Sequence, residues 1–197
     1  MGRERLTAFT DGVLAIIVTI MVLELRPPHG TSLHDLAELT PVFLSYVLSF
    51  LYVAIYWNNH HHFFHLAPRV DGAVLWANMH LLFWLSLVPF TTAWMGENHF
   101  ASVPTAVYGS SLLAPAIAWV IMQTTIIRMQ GADSPLRKAL GRDRKAVISP
   151  ILYLSGIGFS FVNTAVAGLM YLAVALIWLI PDRRIETALA AAEGASA

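Results

Sequence analysis

Apolar residues along the chain gather into six stretches separated by short polar or proline-containing links. The stretches cover about 6–25, 37–57, 72–95, 103–128, 147–162 and 164–181. At 1.5 Å of rise per helical residue, the longer stretches can cross the roughly 30 Å hydrocarbon core of a bilayer. We therefore predict an all-α membrane protein with six transmembrane helices.

Prolines and polar clusters mark the ends of these stretches. Pro27-Pro28 stops the first one, and residues 58–65 are interpreted as a polar and aromatic turn after the second. Asn163-Thr164 joins the last two stretches in a tight hairpin. We divide the chain into a six-helix transmembrane domain, 1–185, and a flexible C-terminal tail, 186–197.

Composition supports the membrane assignment and excludes several kinds of chemistry. The chain is 57% hydrophobic and 12% charged, with a mean hydropathy of +0.63, whereas soluble domains are about 25% charged. It contains no cysteine, which excludes disulfides and thiolate sites. Hydrolase and phosphate-loop motifs are absent from the sequence, so we predict no enzyme and no cofactor. The lipid bilayer is an expected partner, and nucleic acid is not.

The basic residues predict the orientation of the chain. With six spans, the two termini share one side of the membrane with the second and fourth loops. That side holds all but Arg26 of the 12 basic residues, namely Arg3, Arg5, Arg69, Arg128, Arg137, Lys138, Arg142, Arg144, Lys145, Arg183 and Arg184. The positive-inside rule then places both termini in the cytoplasm.

The first stretch carries polar groups that a simple membrane anchor does not need. Asp11 lies inside the apolar run, where a carboxylate is costly unless it is paired. The predicted topology brings several possible partners to its depth: Arg5, Trp57, Asn58, and His60 or His61. We predict that such a network clamps the first helix against the second and third. The alternative is an interfacial aspartate that snorkels to water without a special partner.

Three residues of the same stretch share one helical face. Ile16, Thr19 and Leu23 follow the three- and four-residue spacing of a single stripe. We interpret the stripe as the lining of a narrow ion path. The ordinary alternative is that Ile16 and Leu23 face lipid or pack, while the Thr19 hydroxyl bonds to the carbonyl four residues earlier.

Several motifs in the first half of the chain resemble one known family. The first stretch reads Arg5-x-x-x-Phe9-Thr10-Asp11. It is followed by Tyr56-Trp57-Asn58-x-His60-His61, by Asn78 and Leu82-Phe83, and by Ser86-Leu87-Val88-Pro89-Phe90-Thr91-Thr92-x-Trp94-x-Gly96-Glu97. These segments resemble the lysosomal and prokaryotic non-canonical potassium-channel family. The family's usual tripeptide is Phe-Ser-Asp, so Thr10 departs from it by one methyl group.

The resemblance implies a fold, an assembly and a set of site residues. Prokaryotic members have one six-helix unit per chain and form homotetramers whose first helices line a central pore, in the plasma (inner) membrane. Ile16 then corresponds to a hydrophobic constriction and Thr19 to a hydroxyl layer, with Leu23 on the same face and Glu24 at the pore mouth. The implied function is a channel that passes potassium ions with modest selectivity over sodium. The clamp comprises Arg5, Phe9, Thr10, Asp11, Trp57, Asn58, His60 and His61.

A second functional class uses the histidine cluster, which we define as His60, His61, His62 and His65. A proton- or metal-coupled secondary transporter could use these imidazoles together with Asp11. Such transporters usually have internal repeats and an acidic site at the midplane, and the sequence shows neither. His61 and His65 have the i, i+4 spacing of a helical metal pair, but no carboxylate accompanies them in 58–65. We therefore assign no metal site.

Overall fold

The computed structural model describes residues 2–67, 69–131, 134, 136–137 and 144–180. The helices are α1 (Arg3–Leu23), α2 (Leu33–Glu38), α3 (Thr40–His65), α4 (Gly72–Ser86), α5 (Val88–Glu97), α6 (Ser102–Gln130), α7 (Arg144–Phe159) and α8 (Thr164–Leu179). These described residues contain no β-strand, which confirms the all-α prediction for them. The predicted domain end at 185 and the tail 186–197 lie outside the described residues, as do Lys138, Arg142, Arg183 and Arg184.

Four helical segments are long and apolar enough to cross a membrane. They are α1, α3, the pair α4–α5 taken together, and α6, with lengths of 21, 26, 26 and 29 residues. The helices α7 and α8 are apolar but have only 16 residues each. Each therefore extends over about 24 Å, less than the hydrocarbon core of a bilayer. This pattern of apolar helices is that of a multi-pass membrane protein.

The structure corrects two predicted boundaries. Residues 58–65 are not a turn, because α3 continues through them to His65. Helix-breaking glycine or proline is absent between Asn58 and Ala67, so the polar side chains extend the helix instead of ending it. The third predicted segment, 72–95, is divided at Leu87 into α4 and α5. Pro89 in the first turn of α5 lacks an N–H, which removes the hydrogen bond that would continue α4.

The link after α1 also contains more structure than the sequence pattern predicts. The short helix α2 begins with a capping box, in which the Ser32 N–H donates to the Asp35 carboxylate at 2.8 Å and the Asp35 N–H donates to the Ser32 hydroxyl at 3.2 Å. The Ser32 hydroxyl and the Ser32 N–H both donate to the Asp35 carboxylate, and these two bonds lower the pKa of Asp35. The link between α1 and α3 is therefore held in a defined conformation by its own hydrogen bonds.

The helices pack around α6, which contacts α4, α5, α7 and α8. The first helix lies at one side of this bundle against α3, α4 and α5, and the hairpin of α7 and α8 lies elsewhere against α6 and α3. Asn163 begins α8 by accepting hydrogen bonds from the N–H groups of Ala165 and Val166. This arrangement leaves α1 covered on one side only.

Candidate functional site

The first helix has one face buried in its own bundle and one face uncovered. The buried face consists of Leu6, Thr10, Leu14, Ile17 and Met21. On the opposite face Ile16 is 59% exposed and Leu23 is 77% exposed. Thr19 is exposed as well, and α1 turns about 100° per residue, so the three side chains project within one narrow sector. The predicted stripe therefore lies on the exposed face of α1, with Ile16 at the edge of a groove toward α5.

The Thr19 hydroxyl is oriented by its own helix. Its Oγ1 donates to the carbonyl oxygen of Ile16 at 2.8 Å, three residues earlier instead of the four that the ordinary alternative expects. Because the hydrogen points back to the backbone, the oxygen lone pairs remain free on the exposed side. A threonine in this state can accept a hydrogen bond or coordinate a cation. The back-bond and a role in ion contact are therefore compatible.

One hydrogen bond links an exposed side chain near the middle of α1 to α3. The Trp57 indole Nε1–H donates to the Asp11 carboxylate at 3.0 Å. Trp57 also stacks on the His61 ring, with the centroids 6.3 Å apart. Of the other partners considered for Asp11, Arg5 and Asn58 make no side-chain hydrogen bond or ion pair with any described residue. His60 bonds to Asn78 instead, and His61 makes ring contacts. Trp57 is therefore the group that holds Asp11.

A second set of hydrogen bonds joins α1, α3 and α4 in the buried interior. The Asn78 Nδ2–H donates to Thr10 Oγ1 at 2.9 Å, and Asn78 Oδ1 lies 2.9 Å from His60 Nε2. Because the Asn78 oxygen can only accept, His60 must donate from Nε2. Thr10, His60 and Asn78 are 1%, 2% and 2% exposed, respectively. We call this set, together with the Asp11–Trp57 bond, the α1 clamp.

Asn78 is the clamp residue that sequence reasoning did not assign. The available signal was a lone amide inside an otherwise apolar stretch, at the same predicted depth as Thr10 and His60. An amide at such a position needs partners, because unpaired polar groups are costly in a low-dielectric environment. Its pairing with both neighbours makes it the centre of the clamp.

The histidine cluster does not act as a unit in the structure. His60 is buried with its ring 4.5 Å from that of Phe64, whereas His61 and His65 are exposed with their rings 4.7 Å apart. The described residues contain no group of three His, Asp or Glu side chains placed to hold a metal ion. The cluster is thus divided between a buried member of the clamp and surface imidazoles.

Two further predicted residues lie at opposite ends of α1. Phe9 is about half exposed, one turn from Arg5. Glu24 follows the last turn of α1 and lines an open groove between α1 and α5 with Arg26, Trp94 and Glu97. The carboxylates of Glu24 and Glu97 can attract cations to this groove.

Removing the Asp11 carboxylate is expected to weaken the attachment of α1 to α3. In Asp11→Ala the Trp57 N–H loses its acceptor, and we expect the free energy of unfolding in detergent to fall by about 1 kcal/mol. Thr19→Ala is the matched control, because its hydroxyl bonds only to its own helix and its loss should change stability by less. Equal thermal midpoints for the two variants would contradict a clamping role for Asp11.

Comparison with known proteins places this geometry in a family. The family model described as the endosomal/lysosomal potassium channel TMEM175 matches residues 5–89, which include the uncovered stripe and every residue of the α1 clamp. A potassium channel of Chryseobacterium sp. (strain P1-3) is 53% identical over 189 residues, which span 96% of this chain and 98% of the relative. A potassium channel of Streptomyces collinus is 33% identical over 172 residues, which span 81% of this chain and 82% of the relative.

A solved structure agrees with the fold over nearly the whole chain. The crystal structure of a lysosomal potassium-selective channel TMEM175 homolog from Chamaesiphon minutus superposes with a TM-score of 0.80 at 28% identity, covering 90% of this chain and 96% of that one. These relatives are ion channels, not enzymes, and they favour the channel interpretation over the transporter. This chain therefore belongs to the TMEM175 family of ion channels, in the prokaryotic form that carries a single channel repeat per chain.

Proposed function

We propose that this chain is one subunit of a homotetrameric potassium channel whose pore is lined by four copies of α1. The observation that carries the proposal is the uncovered stripe of Ile16, Thr19 and Leu23 on a helix otherwise packed into its own bundle. A membrane helix with an outward hydroxyl between two large apolar side chains suits a water-filled axis better than lipid. The relatives named potassium channels support the choice of ion.

In this proposal the stripe forms successive layers along the pore. Thr19 lies about 4.5 Å and Leu23 about 10.5 Å along the helix axis from Ile16. Four Ile16 side chains around the axis make a constriction narrow and apolar enough to exclude water, and hydrated ions with it. A small widening or rotation of the helices would let the constriction fill with water and conduct.

Selectivity in this design comes from the Thr19 layer. Four hydroxyl oxygens replace part of the hydration shell of a potassium ion, with their lone pairs facing the axis because their hydrogens bond to Ile16. One such ring discriminates less than stacked rings of carbonyls, so the preference for potassium over sodium is modest. Glu24 at the end of α1 raises the local concentration of cations at the mouth.

The proposed topology has six spans in the plasma membrane of a prokaryotic cell, with both termini in the cytoplasm. Its support is the four long apolar helices, the two shorter apolar helices α7 and α8, and the charge pattern of the loops. The bilayer can thin or α7 and α8 can pack inside the bundle, so their shorter length does not prevent crossing. Arg26 is then the single basic residue on the outer side.

Ion flux from liposomes is the direct test. The purified wild-type protein is expected to release potassium faster than sodium, without needing a proton gradient. Thr19→Val, which keeps the shape of the side chain but removes the hydroxyl, should bring the potassium-to-sodium flux ratio close to one while total flux persists. Thr124→Val is the matched control, because the Thr124 hydroxyl is also exposed and bonds only to its own helix, at Val120 and Ile121.

Each alternative outcome identifies a different error. Equal potassium and sodium flux in the wild type would contradict selectivity, and an unchanged ratio in Thr19→Val would contradict the hydroxyl layer. Flux that requires a proton gradient would restore the transporter hypothesis. A monodisperse monomer in mild detergent would contradict the tetramer.

A further inference from the structure

The outward face of α4 carries an imidazole at membrane depth. Trp76 is 77% exposed and Phe83 is 55% exposed, and His80 is exposed between them. His80 lies eight residues beyond Gly72, the first residue of the span, and therefore about 12 Å along the helix. This depth is within the hydrocarbon region for a span of this length.

Hydrogen bonding determines which ring nitrogen of His80 carries the hydrogen. The Trp84 indole Nε1–H donates to His80 Nε2 at 2.9 Å. Because an indole nitrogen can only donate, Nε2 accepts, and the hydrogen of the neutral ring is on Nδ1. None of the described side chains of the same chain accepts a hydrogen bond from this Nδ1–H. A donor facing lipid at this depth is costly, so a polar group from elsewhere is expected to cover it.

The outward face of α3 offers a complementary group. Asn58 lies seven residues before His65, about 10.5 Å from that end of α3. The connection from α3 to α4 is short, so both helices are measured from the same side of the membrane and Asn58 and His80 lie at similar depth. Asn58 is half-buried, and its side-chain amide makes no hydrogen bond with the described residues. Its neighbours Trp57 and Asn59 both have partners.

The position of α1 keeps these two groups apart within one chain. Through Asp11 and Thr10, α1 bonds to Trp57 of α3 and to Asn78 of α4, so it lies over both helices. The uncovered faces of α3 and α4 then flank α1 on its two sides. When copies are arranged in a ring with α1 toward the axis, the α4 flank of one copy meets the α3 flank of the next. The contact is head-to-tail, and repeating it around the axis gives a closed ring of copies.

We propose that His80 donates from Nδ1 to the Asn58 side-chain oxygen of the adjacent copy, forming one hydrogen bond at each subunit boundary. The inference rests on the proposed tetramer and specifies which faces meet in it. The exposed aromatic residues next to the two groups, Trp57 on α3 and Trp76 and Phe83 on α4, exclude lipid from the bond. The same contact gives the amide of Asn58 and the imidazole of His80 their missing partners.

Crosslinking tests the contact directly, because the chain contains no cysteine. In the double variant Asn58→Cys/His80→Cys, a short bis-maleimide is expected to link copies into a ladder up to the tetramer on a denaturing gel. Each single-cysteine variant should stay at the monomer position. The matched control is Asn58→Cys/Leu172→Cys, because Leu172 is exposed on α8 about 10.5 Å from the end of that helix. This control should give no ladder.

The outcomes separate this inference from the proposed function. A ladder in the control pair but not in the 58/80 pair, with an intact tetramer by light scattering, would overturn the proposed contact and leave the channel proposal standing. A protein that is monomeric before crosslinking would overturn both.

A double-mutant comparison gives a second readout that does not depend on crosslinking. His80→Leu and Asn58→Leu are each expected to lower the thermal midpoint of tetramer dissociation by a similar amount. The double variant should lower it no further than either single variant, because both changes remove the same bond. Additive shifts would contradict a bond between the two residues.

Discussion

Liposomes that contain the Ile16→Asn variant are expected to release potassium about tenfold faster than liposomes with the wild-type channel. Four asparagine amides in place of four sec-butyl groups would hold water in the constriction of the proposed pore. A tenfold rise requires only about 1.4 kcal/mol of reduction in the barrier to conduction, and removal of a dewetted constriction can supply at least that. Flux from a fixed amount of reconstituted tetramer is the measurement.

Val22→Asn is the matched control for this prediction. Val22 is also exposed on α1, but it points about 120° away from Ile16 around the helix. The same polar substitution there should leave potassium flux close to the wild-type rate. A rise of similar size in both variants would mean that asparagine perturbs α1 in general. An unchanged flux in Ile16→Asn with the tetramer intact would contradict Ile16 as the constriction.

Replacing Asn78 with leucine is expected to produce the largest loss of stability. Leucine has the same branched arrangement of four side-chain heavy atoms, so the shape is conserved, but His60 and Thr10 both lose their hydrogen-bond partner inside the bundle. Leaving a buried donor or acceptor unpaired costs about 1–3 kcal/mol, so two such groups predict a loss of about 2–6 kcal/mol. The midpoint of unfolding by a denaturing detergent measures the effect.

Asn59→Leu controls for the loss of an amide from the same region. Asn59 is half-buried and donates only to the Ile55 carbonyl of its own helix, so its replacement should lower stability by less than about 1 kcal/mol. If the two leucine variants unfold at the same detergent concentration, the interhelical bonds of Asn78 contribute nothing specific. Thr10→Val combined with Asn78→Leu should cost less than the sum of the two changes, because the residues share one bond.

Much of the architecture could be predicted because the ability of a segment to cross a bilayer depends on its own length and hydrophobicity. A stretch such as 6–25 is apolar enough to be recognised without knowledge of its neighbours. The end of α3 was predicted wrongly because polarity was taken as the sign of a turn, whereas polar residues without glycine or proline among them can continue a helix. At this end of α3, Asn59 bonds to the Ile55 carbonyl of its own helix and His60 to Asn78, so these polar side chains find partners without interrupting the backbone.

The partner of Asp11 in the α1 clamp could not be chosen from the sequence alone. The sequence suggested several partners for Asp11, all at similar depth, and the structure places the Trp57 indole against it. Depth follows from counting residues, but choosing Trp57 over Arg5 depends on how α3 is rotated about its axis relative to α1. The rotation of α4 about its own axis likewise decides that Asn78 points toward Thr10, while His80, two residues later, points out of the bundle.

By itself, the sequence determined that this is an all-helical membrane chain and that Ile16, Thr19 and Leu23 share one face of its first helix, since hydrophobicity and the helical period are properties of neighbouring residues. Only the tertiary structure decided that this face is the one left uncovered and that Thr10, Asn78 and His60 meet behind it. Those outcomes depend on contacts between segments up to 68 positions apart, whose relative rotation is set by the packing of the whole bundle.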